Sequence, residues 1–572
     1  MADVRPIRSC REGDGVSAHQ HLTIAQIRII SVHRLPNVRV RAPWCRQTTV
    51  RYVRETEPEQ TEQVRAAEVI ASMCLATDLG MGFPFEHGLH ATLTTMRLCE
   101  ALAVDEDTLS GTYYACLLMY AGCTVDEVER SEIFGSSMTE HHTHRQFGSR
   151  VESLSGVVRA LPSPDANPPQ QAWQVATRLP RASRFVDRHF AALCEVAGML
   201  AERLGLPESI HGMFPLLTER WDGKSVLERA SGDEIPLPLR IIQVGRDATY
   251  QRLMGDDEYV KGVIRSRSGK AFDPDVVAMF VSNADEVLGP PEPAKTVWED
   301  VLAAEPQPRL TLKGPAIDRA LRAMGAFADL VSPYLSGHSS GVADLAGTAA
   351  ELHGFTHAEV ETIRRAGFVH DVGRTAVSSR VWNKAGPLTA DEREQARLHP
   401  YHTERVLAWS PFLAEVGSIA KAHHERLDGS GYHRGLDISS LSPASRLLAA
   451  ADAFRSKTEP RPYREALSPE KATEVLVEKA EHGGFDPAMV MAIAEAAGQT
   501  PPTIERRGGL TEREIEVVGL LARGLQTKQI ARELDISPKT ADRHIQNSYR
   551  KIGVSSRAAA TLFATENGLV SR

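Results

Sequence analysis

Seven side chains between positions 338 and 452 could together do metal chemistry: His338, His370, Asp371, His399, His423, His424 and Asp452. Imidazoles mixed with carboxylates, without a thiolate, suit iron, manganese or a related divalent ion rather than a structural zinc. Two pairs, His370-Asp371 and His423-His424, are adjacent in sequence, and both fall within stretches of helical periodicity. Neighbours on a helix point roughly 100° apart, so both can reach a metal only if it lies against that edge of the helix. One carboxylate can bridge two ions, and two ions can activate a water while clamping a phosphate. Any one of these histidines alone reads as an ordinary surface residue. Their order, spacing and flanks together do not.

The elements that must position these groups are helices. From about Arg65 to Glu286 apolar residues recur at three- and four-residue spacing, broken by short polar turns. Leu161–Gln171 is rich in proline and polar residues and reads as a loop or hinge. A second breaker runs through Leu288–Pro293, with further prolines at Pro306 and Pro308, and marks a domain boundary. Helical periodicity resumes from about Pro315 to Ala497, and a linker with Pro501, Pro502, Gly508 and Gly509 leads to the last segment. The expected fold class is all-α.

The chain also repeats itself. His87 precedes Met119-Tyr120 at the spacing by which His338 precedes His370-Asp371, and Gly122 and Thr124 match Gly373 and Thr375 in the same register. Glu219-Arg220-Trp221-Asp222-Gly223 resembles Glu425-Arg426-Leu427-Asp428-Gly429, and Arg240-Ile241-Ile242 resembles Arg446-Leu447-Leu448. One helical fold is used twice, with different fates for the chemistry.

The flanks of the metal set carry a family resemblance. Gly337-His338-Ser339, His370-Asp371-Val372-Gly373-Arg374, Asn383-Lys384-Ala385-Gly386-Pro387-Leu388, His399-Pro400, His423 through Tyr432, Ala451-Asp452-Ala453-Phe454 and Arg461-Pro462-Tyr463-Arg464 resemble the HD-GYP phosphodiesterases over roughly residues 330–470. The resemblance implies an all-helical fold and a site of two divalent ions, iron or manganese, that opens cyclic di-GMP or a related cyclic dinucleotide. It implies that His338, His370, Asp371 and Asp452 hold one metal. The second would share Asp371 and take His399, His423 and His424. It places His370, Asp371 and Arg374 at catalytic positions, and Lys384, Arg461 and Arg464 at substrate-binding ones, where a guanidinium fork suits a phosphate. The chain departs from the family pattern at Arg374, where the family has lysine, and at Gly431-Tyr432-His433, where it has GYP. It departs again at Arg455, usually acidic, and at Tyr334, where trimetallic members place a glutamate.

In the first repeat the ligands are gone: His370-Asp371 becomes Met119-Tyr120 and His423-His424 becomes Leu217-Thr218. A thioether and a phenol do not replace an imidazole and a bridging carboxylate at a hard divalent site. This copy is expected to be metal-free, packing on the active copy or binding a regulatory ligand. His141, His142 and His144 sit in polar sequence and read as a solvated loop.

Residues 510–570 form a compact helical unit. Thr511 precedes an acidic first turn with Glu512 and Glu514. Ile515, Val518, Leu521 and Ala522 keep helical spacing, and Gly524 ends that helix. A second short helix, Thr527 to Leu534, carries Ile530, Ala531 and Leu534 inward. Ser537 then caps a third helix with Pro538 at its first position. The run Leu510-Thr511-Glu512-Arg513-Glu514, with Ile530-Ala531, Ile536-Ser537, Lys539-Thr540, His544 and Lys551-Ile552-Gly553-Val554 through Arg557, resembles the LuxR-type DNA-binding domain. The resemblance implies a helix-turn-helix whose third helix enters the major groove. It implies DNA contacts from Lys528, Lys539, Thr540, Arg543, His544, Asn547, Arg550 and Lys551, with Gln546 nearby, and a homodimer on paired half-sites. From Glu505 to Arg572 twelve Lys/Arg face eight Asp/Glu, although the whole chain carries a net charge of −8. Asp542 lies where a basic residue is common, and Ala541 and Ser548 replace larger apolar residues.

At 572 residues the chain exceeds one hydrophobic core. The expected organisation is a flexible basic tail or upstream-translated stretch at 1–55, and a degenerate HD-like domain at 56–285. A linker at 286–312, an HD-GYP-like domain at 313–500 and the helix-turn-helix at 501–572 would follow. The first thirty residues lack the order of a signal peptide, and no window has ~18 consecutive apolar residues, so a cytoplasmic protein without a membrane span is expected. All seven cysteines lie at or before Cys194 at irregular spacing, which reads as reduced thiols. The functional expectation is a transcription regulator carrying a metal-dependent phosphodiesterase for a cyclic dinucleotide. A phosphohydrolase of another nucleotide, or a silent ligand sensor controlling the DNA head, are the alternatives.

Overall fold

The computed structural model describes residues 63–119, 121–124, 127–135, 146–290, 296–500, 510–567 and 569. The basic stretch 1–55, Tyr120, the triad His141, His142 and His144, and the linker residues Pro501, Pro502, Gly508 and Gly509 lie outside the described residues. The architecture is helical. Among the described residues the named strands are Gln63–Arg65 and Thr311–Lys313, paired antiparallel with Val64 opposite Leu312.

The repeat is a repeat of structure. Helices His87–Leu102 and Glu106–Leu118, then a tight turn at Ala121–Thr124, recur as His338–His353, His357–Val369 and Val372–Ala376. Each copy enters its first helix through a residue with positive φ, Glu86 at 73° and Gly337 at 76°. A buried aspartate anchors that entry by accepting from the first turn: Asp78 from the Gly88 N–H at 3.1 Å, Asp329 from the Ser339 N–H at 3.1 Å. Further on, helix Leu237–Gln251 matches Pro443–Thr458. The ion pair Arg240–Asp273 (2.7 Å) matches Arg446–Asp486 (3.4 Å). This conserved register places Arg246 in the first copy where Asp452 stands in the second.

One apolar core runs through both copies. Ile70, Leu75 and Tyr113 of the first lie in the same buried cluster as Phe327, Phe368, Val406 and Leu448 of the second. Burying side chains of this size stabilises by about 1.5–3 kcal/mol each. The stretch 286–312 is more than a connection. It contains helix Trp298–Ala303, with Trp298 and Val301 buried, and Glu305, which pairs with Arg65 and accepts from the Tyr114 hydroxyl at 2.7 Å. Its prolines break the periodicity, but those two apolar side chains are enough to dock it. The proline-rich stretch after Leu161 is short, because helix Pro168–Arg203 begins within it through an Asn167–Gln170 capping box.

The C-terminal unit packs helices Glu512–Ala522, Thr527–Glu533, Pro538–Ile552 and Arg557–Glu566 around Val517, Leu520, Leu521, Ile530, Ala531 and Ile545. Thr511 and Glu514 form a capping box at its first helix. No described helix is long and apolar enough to cross a membrane.

Candidate metal centre

The chain delivers its seven candidate ligands mostly from helix ends, which corrects the expectation that the adjacent pairs lie inside helices. His370 caps the end of His357–Val369, and Asp371 has already left helical geometry with φ −108° and ψ 11°. His423 and His424 lie in the turn after Pro411–Ala420. His338 and His399 are first residues of their helices, and Asp452 projects from the middle of Pro443–Thr458. Leaving the helix frees the backbone to aim neighbouring side chains at one point, where a regular helix would splay them.

The seven groups converge. Asp371 sits at the centre, its Oδ2 3.0 Å from His370 Nε2 and 3.4 Å from His338 Nε2. Its Oδ1 is 3.2 Å from His399 Nε2 and 3.4 Å from His423 Nε2. Asp452 Oδ1 lies 3.3 Å from His338 Nε2, and its Oδ2 lies 3.8 Å from His424 Nδ1. Ligand atoms of His338, His370 and Asp452, and those of His399, His423 and His424, lie within 4.8 Å of one another in two groups.

These residues fit metal ions on independent grounds. His338 Nε2, His370 Nε2, Asp371 Oδ1 and Asp452 Oδ1 are buried without a hydrogen-bond partner, and Asp371 Oδ2 has the Arg374 guanidinium at 2.8 Å, a costly arrangement unless a further cation satisfies the rest. His399 Nε2 and His423 Nε2 face each other at 3.1 Å, a distance that suits two lone pairs only with a cation between them. The rings are preset as well. His370, His399 and His423 direct Nδ1 at the carbonyls of Gly367 (2.8 Å), Ala396 (2.5 Å) and Ala420 (2.6 Å), so Nε2 carries the lone pair. His338 directs Nδ1 at Glu459 Oε2, at 2.7 Å.

Electrostatics follow from burial and charge. Burial pushes His423 down to about 4 and His424 well below the usual range, so both imidazoles are neutral. Burial also opposes ionisation of Asp371, but the Arg374 guanidinium and the surrounding imidazoles outweigh it and hold the carboxyl well below its ordinary value. For His338, burial is outweighed by Asp371, Asp452 and Glu459, which raise it to about 10: the carboxylates demand positive charge here.

The expected catalytic and substrate residues are placed unevenly. Arg374 is buried, 2.8 Å from Asp371 Oδ2, with its Nε and Nη1 unpartnered and its guanidinium over Trp382. Arg461 donates to the Tyr334 carbonyl at 2.8 Å and pairs with Glu459 at 3.1 Å. Arg464 is turned to the end of its neighbouring helix, donating to the carbonyls of Lys457 (3.0 Å) and Glu459 (3.3 Å), where a cation complements the helix dipole. Lys384 pairs with Glu392 at 2.5 Å and makes no described contact with the seven ligands. Two aromatic walls escaped the sequence reading: Tyr432 stacks on His424 at 4.6 Å, and Trp382 meets His399 edge-on at 5.6 Å. An aromatic adjoining a ligand motif was the available signal for both.

In the first copy the same cavity is rebuilt. A Cβ on Gly122 would lie 2.2 Å from the Leu193 carbonyl, as one on Gly373 would lie 2.1 Å from that of His399, so Leu193 stands in the place of His399. With Met119, Leu217 and Thr218 at other ligand positions and Arg246 at that of Asp452, only His87 survives, and burial and then Arg246 push it down to about 3. A guanidinium where the second copy has a carboxylate repels a cation at that position.

In the DNA head, Ser537 accepts from the Thr540 N–H at 3.0 Å and starts helix Pro538–Ile552. Ala541, Ile545 and Ser548 face inward, and the Ser548 hydroxyl is satisfied by the His544 carbonyl at 2.8 Å. Lys539, Arg543, Gln546, Arg550 and Lys528 are exposed; Thr540, His544 and Asn547 are half-buried beside them, and Asp542 shares the exposed face. Lys551 pairs with buried Glu514 at 2.6 Å and ties the third helix to the first.

Comparisons with known proteins agree with this anatomy. Residues 322–489 match the HD domain family, and residues 509–564 match the luxR family of bacterial regulatory proteins. A 3'3'-cGAMP-specific phosphodiesterase 3 of Vibrio cholerae serotype O1 is 28% identical over 446 residues, covering 76% of this chain and 95% of that protein. The cyclic di-GMP phosphodiesterase response regulator RpfG of Xanthomonas campestris pv. campestris is 37% identical over 158 residues, 27% of this chain and 41% of its own length. The crystal structure of a cyclic GMP-AMP specific phosphodiesterase of V. cholerae superposes with a TM-score of 0.54 at 24% identity, over 77% of this chain and 99% of that one, and shares the fold. The chain therefore carries an HD domain with HD-GYP-type phosphodiesterase homologues. A LuxR-type DNA-binding domain follows it at the C-terminus.

Proposed function

We propose that this chain is a cytoplasmic, homodimeric transcription regulator whose second repeat hydrolyses a cyclic dinucleotide and passes its state to the DNA head. The observation that carries the reading is the division of Asp371, one oxygen toward His338 and His370 and the other toward His399 and His423. A carboxylate split between two sets of imidazoles is the arrangement that suits a two-ion site. Bound ions, iron or manganese by their donor set, would supply an activated water and neutralise charge on the phosphate.

The chain's own groups do the rest. Arg374 offers two buried N–H groups beside Asp371, suited to a phosphate oxygen on which charge develops. Arg461 stands next to His338 through Glu459 and extends the cationic side of the site. Tyr432 and Trp382 give apolar faces against which a base can stack. The relative spanned along 95% of its length is named for 3'3'-cGAMP and the shorter match for cyclic di-GMP, so both are candidate substrates. For coupling, Leu427, three residues past His424, lines a small cavity together with Ile515, Asn567 and Leu569 of the DNA head.

The test is elemental analysis and cyclic dinucleotide turnover on anaerobically purified full-length protein, beside a His370→Ala/Asp371→Ala variant. About two ions per chain with turnover, both lost in the variant, support the reading. Ions without turnover of either dinucleotide would overturn hydrolysis and leave a sensor. DNA affinity measured with and without cyclic dinucleotide tests the coupling, which equal affinities would refute.

A further inference from the structure

We propose that Glu459 is a positioning residue that fixes the tautomer of His338 for metal binding and holds Arg461 on the same carboxylate oxygen. The inference rests on the metal reading of the seven-residue cluster. It starts from a difference among the ligand imidazoles. His370, His399 and His423 each orient Nδ1 with a backbone carbonyl three residues earlier, supplied by Gly367, Ala396 and Ala420. His338 has no such carbonyl. His399 also opens its helix but follows directly on helix Ala390–Arg397, whereas Ser336 (ψ 114°) and Gly337 (φ 76°) turn the chain between Pro333–Leu335 and His338. The acceptor is instead a side chain from the far end of helix Pro443–Thr458: Glu459 Oε2, 2.7 Å from Nδ1.

A carboxylate accepts and never donates when ionised. Facing Glu459, Nδ1 must carry the proton, and Nε2 is left with the lone pair aimed between Asp371 and Asp452, at 3.4 and 3.3 Å. The carboxylate lies on the Nδ1 side of the ring, away from those oxygens, and so acts through His338. It is itself held by two cations: Arg461 at 3.1 Å on Oε2 and Arg455 at 2.9 Å on Oε1. Arg455, basic where the resemblance leads one to expect an acid, is thereby explained as the counter-ion four residues before Glu459. Because Arg461 and His338 share Oε2, the arm that would face a phosphate and a metal ligand are set by one group.

The test compares full-length wild type, Glu459→Gln and Arg461→Gln by manganese titration against a competing chelator, with turnover at limiting and saturating manganese. Glutamine keeps the shape but can present its amide N–H to Nδ1, which would move the proton to Nε2 and block the ligand. Manganese affinity of one site is expected to fall about 10–100-fold in Glu459→Gln. The KM should rise, and kcat should recover at saturating manganese. Arg461→Gln is expected to raise KM with manganese affinity within about twofold of wild type, as only an outer partner of Glu459 is lost. Unchanged manganese affinity in Glu459→Gln would overturn the proposal, and so would an equal loss in Arg461→Gln. Wild-type protein that binds no manganese would instead refute the metal reading. If Glu459→Gln does not fold, the pair Glu459→Asp and Glu459→Asn repeats the comparison, with the tighter manganese binding expected in the aspartate variant.

Discussion

Arg374 lies 2.8 Å from the Oδ2 oxygen of Asp371, close enough for its guanidinium to share the central carboxylate with the imidazoles around it. An arginine in that place cannot pass a proton, but its planar fork keeps further donors pointed into the site. Arg374→Ala is expected to lower kcat by about 10²–10³-fold, the usual effect of removing one preorganised donor, while the ions stay bound. Steady-state turnover beside elemental analysis checks this, and loss of the ions would show that the residue holds the site together instead.

Gly373 is where the metal loop and helix His399–Leu407 come closest. A Cβ there would lie 2.1 Å from the His399 carbonyl oxygen and 2.3 Å from the Thr403 nitrogen, both backbone atoms that cannot rotate away. Gly373→Ala is expected to destabilise by about 1–3 kcal/mol and to weaken metal binding by pushing His399 off its position. Thermal unfolding and metal content of the variant read the two effects separately.

The surviving imidazole of the first copy should make stability depend on pH. Burial, with Arg246 behind it, pushes His87 down to about 3. The unfolded chain takes up that proton below about pH 6.5 and the native chain only near 3, so stability is full above this window and falls as pH drops through it. The whole window corresponds to a loss on the order of 5 kcal/mol. Urea unfolding of metal-free protein between pH 7 and 4.5 should show a shallower pH slope in His87→Asn than in wild type.

The DNA head separates two kinds of basic residue. Lys539 and Arg543 are exposed on the third helix, whereas Lys551 pairs with buried Glu514 at 2.6 Å. Replacing Lys539 or Arg543 by alanine should weaken DNA binding and reduce its salt slope by about one unit each, with no change in unfolding temperature. Lys551→Ala should cost about 0.5–1 kcal/mol of stability, since the lysine is partly exposed and its pair is screened. Binding isotherms at several salt concentrations, beside melting curves, distinguish the two.

Much of this was legible in the sequence because the chemistry demands particular residue types. The seven candidate ligands, which the fold brings together, stood out as imidazoles and carboxylates in a recognisable order, and the capped helices of the DNA head were marked by Thr511, Gly524, Ser537 and Pro538. What the residues did not announce was direction. The engagement of Arg464 with helix-end carbonyls and of Lys384 with Glu392 depends on where the chain turns after Asp452 and Asn383, and no spacing encodes that. Nor did the prolines of 286–312 reveal that Trp298 and Val301 dock the segment. Glu459 was invisible for a further reason: its partner His338 is over a hundred residues away, and the chain turns at Gly337 just before it.

The apolar core common to the two copies also bears on how such a chain can change over generations. Thr375, in the turn that follows Asp371, donates to the Ala76 carbonyl of the first copy at 3.1 Å, and Ile70 and Leu75 lie in one cluster with Phe327 and Phe368. At the first copy's counterparts of the candidate ligands, Met119, Leu193 and Leu217 belong to that same buried cluster, so packing stands there in place of chemistry. The first copy's interior is constrained, since the second copy folds against it. The first copy is thereby a permanent part of the second copy's mould, and a gene trimmed to the second copy would encode a domain with one wall missing.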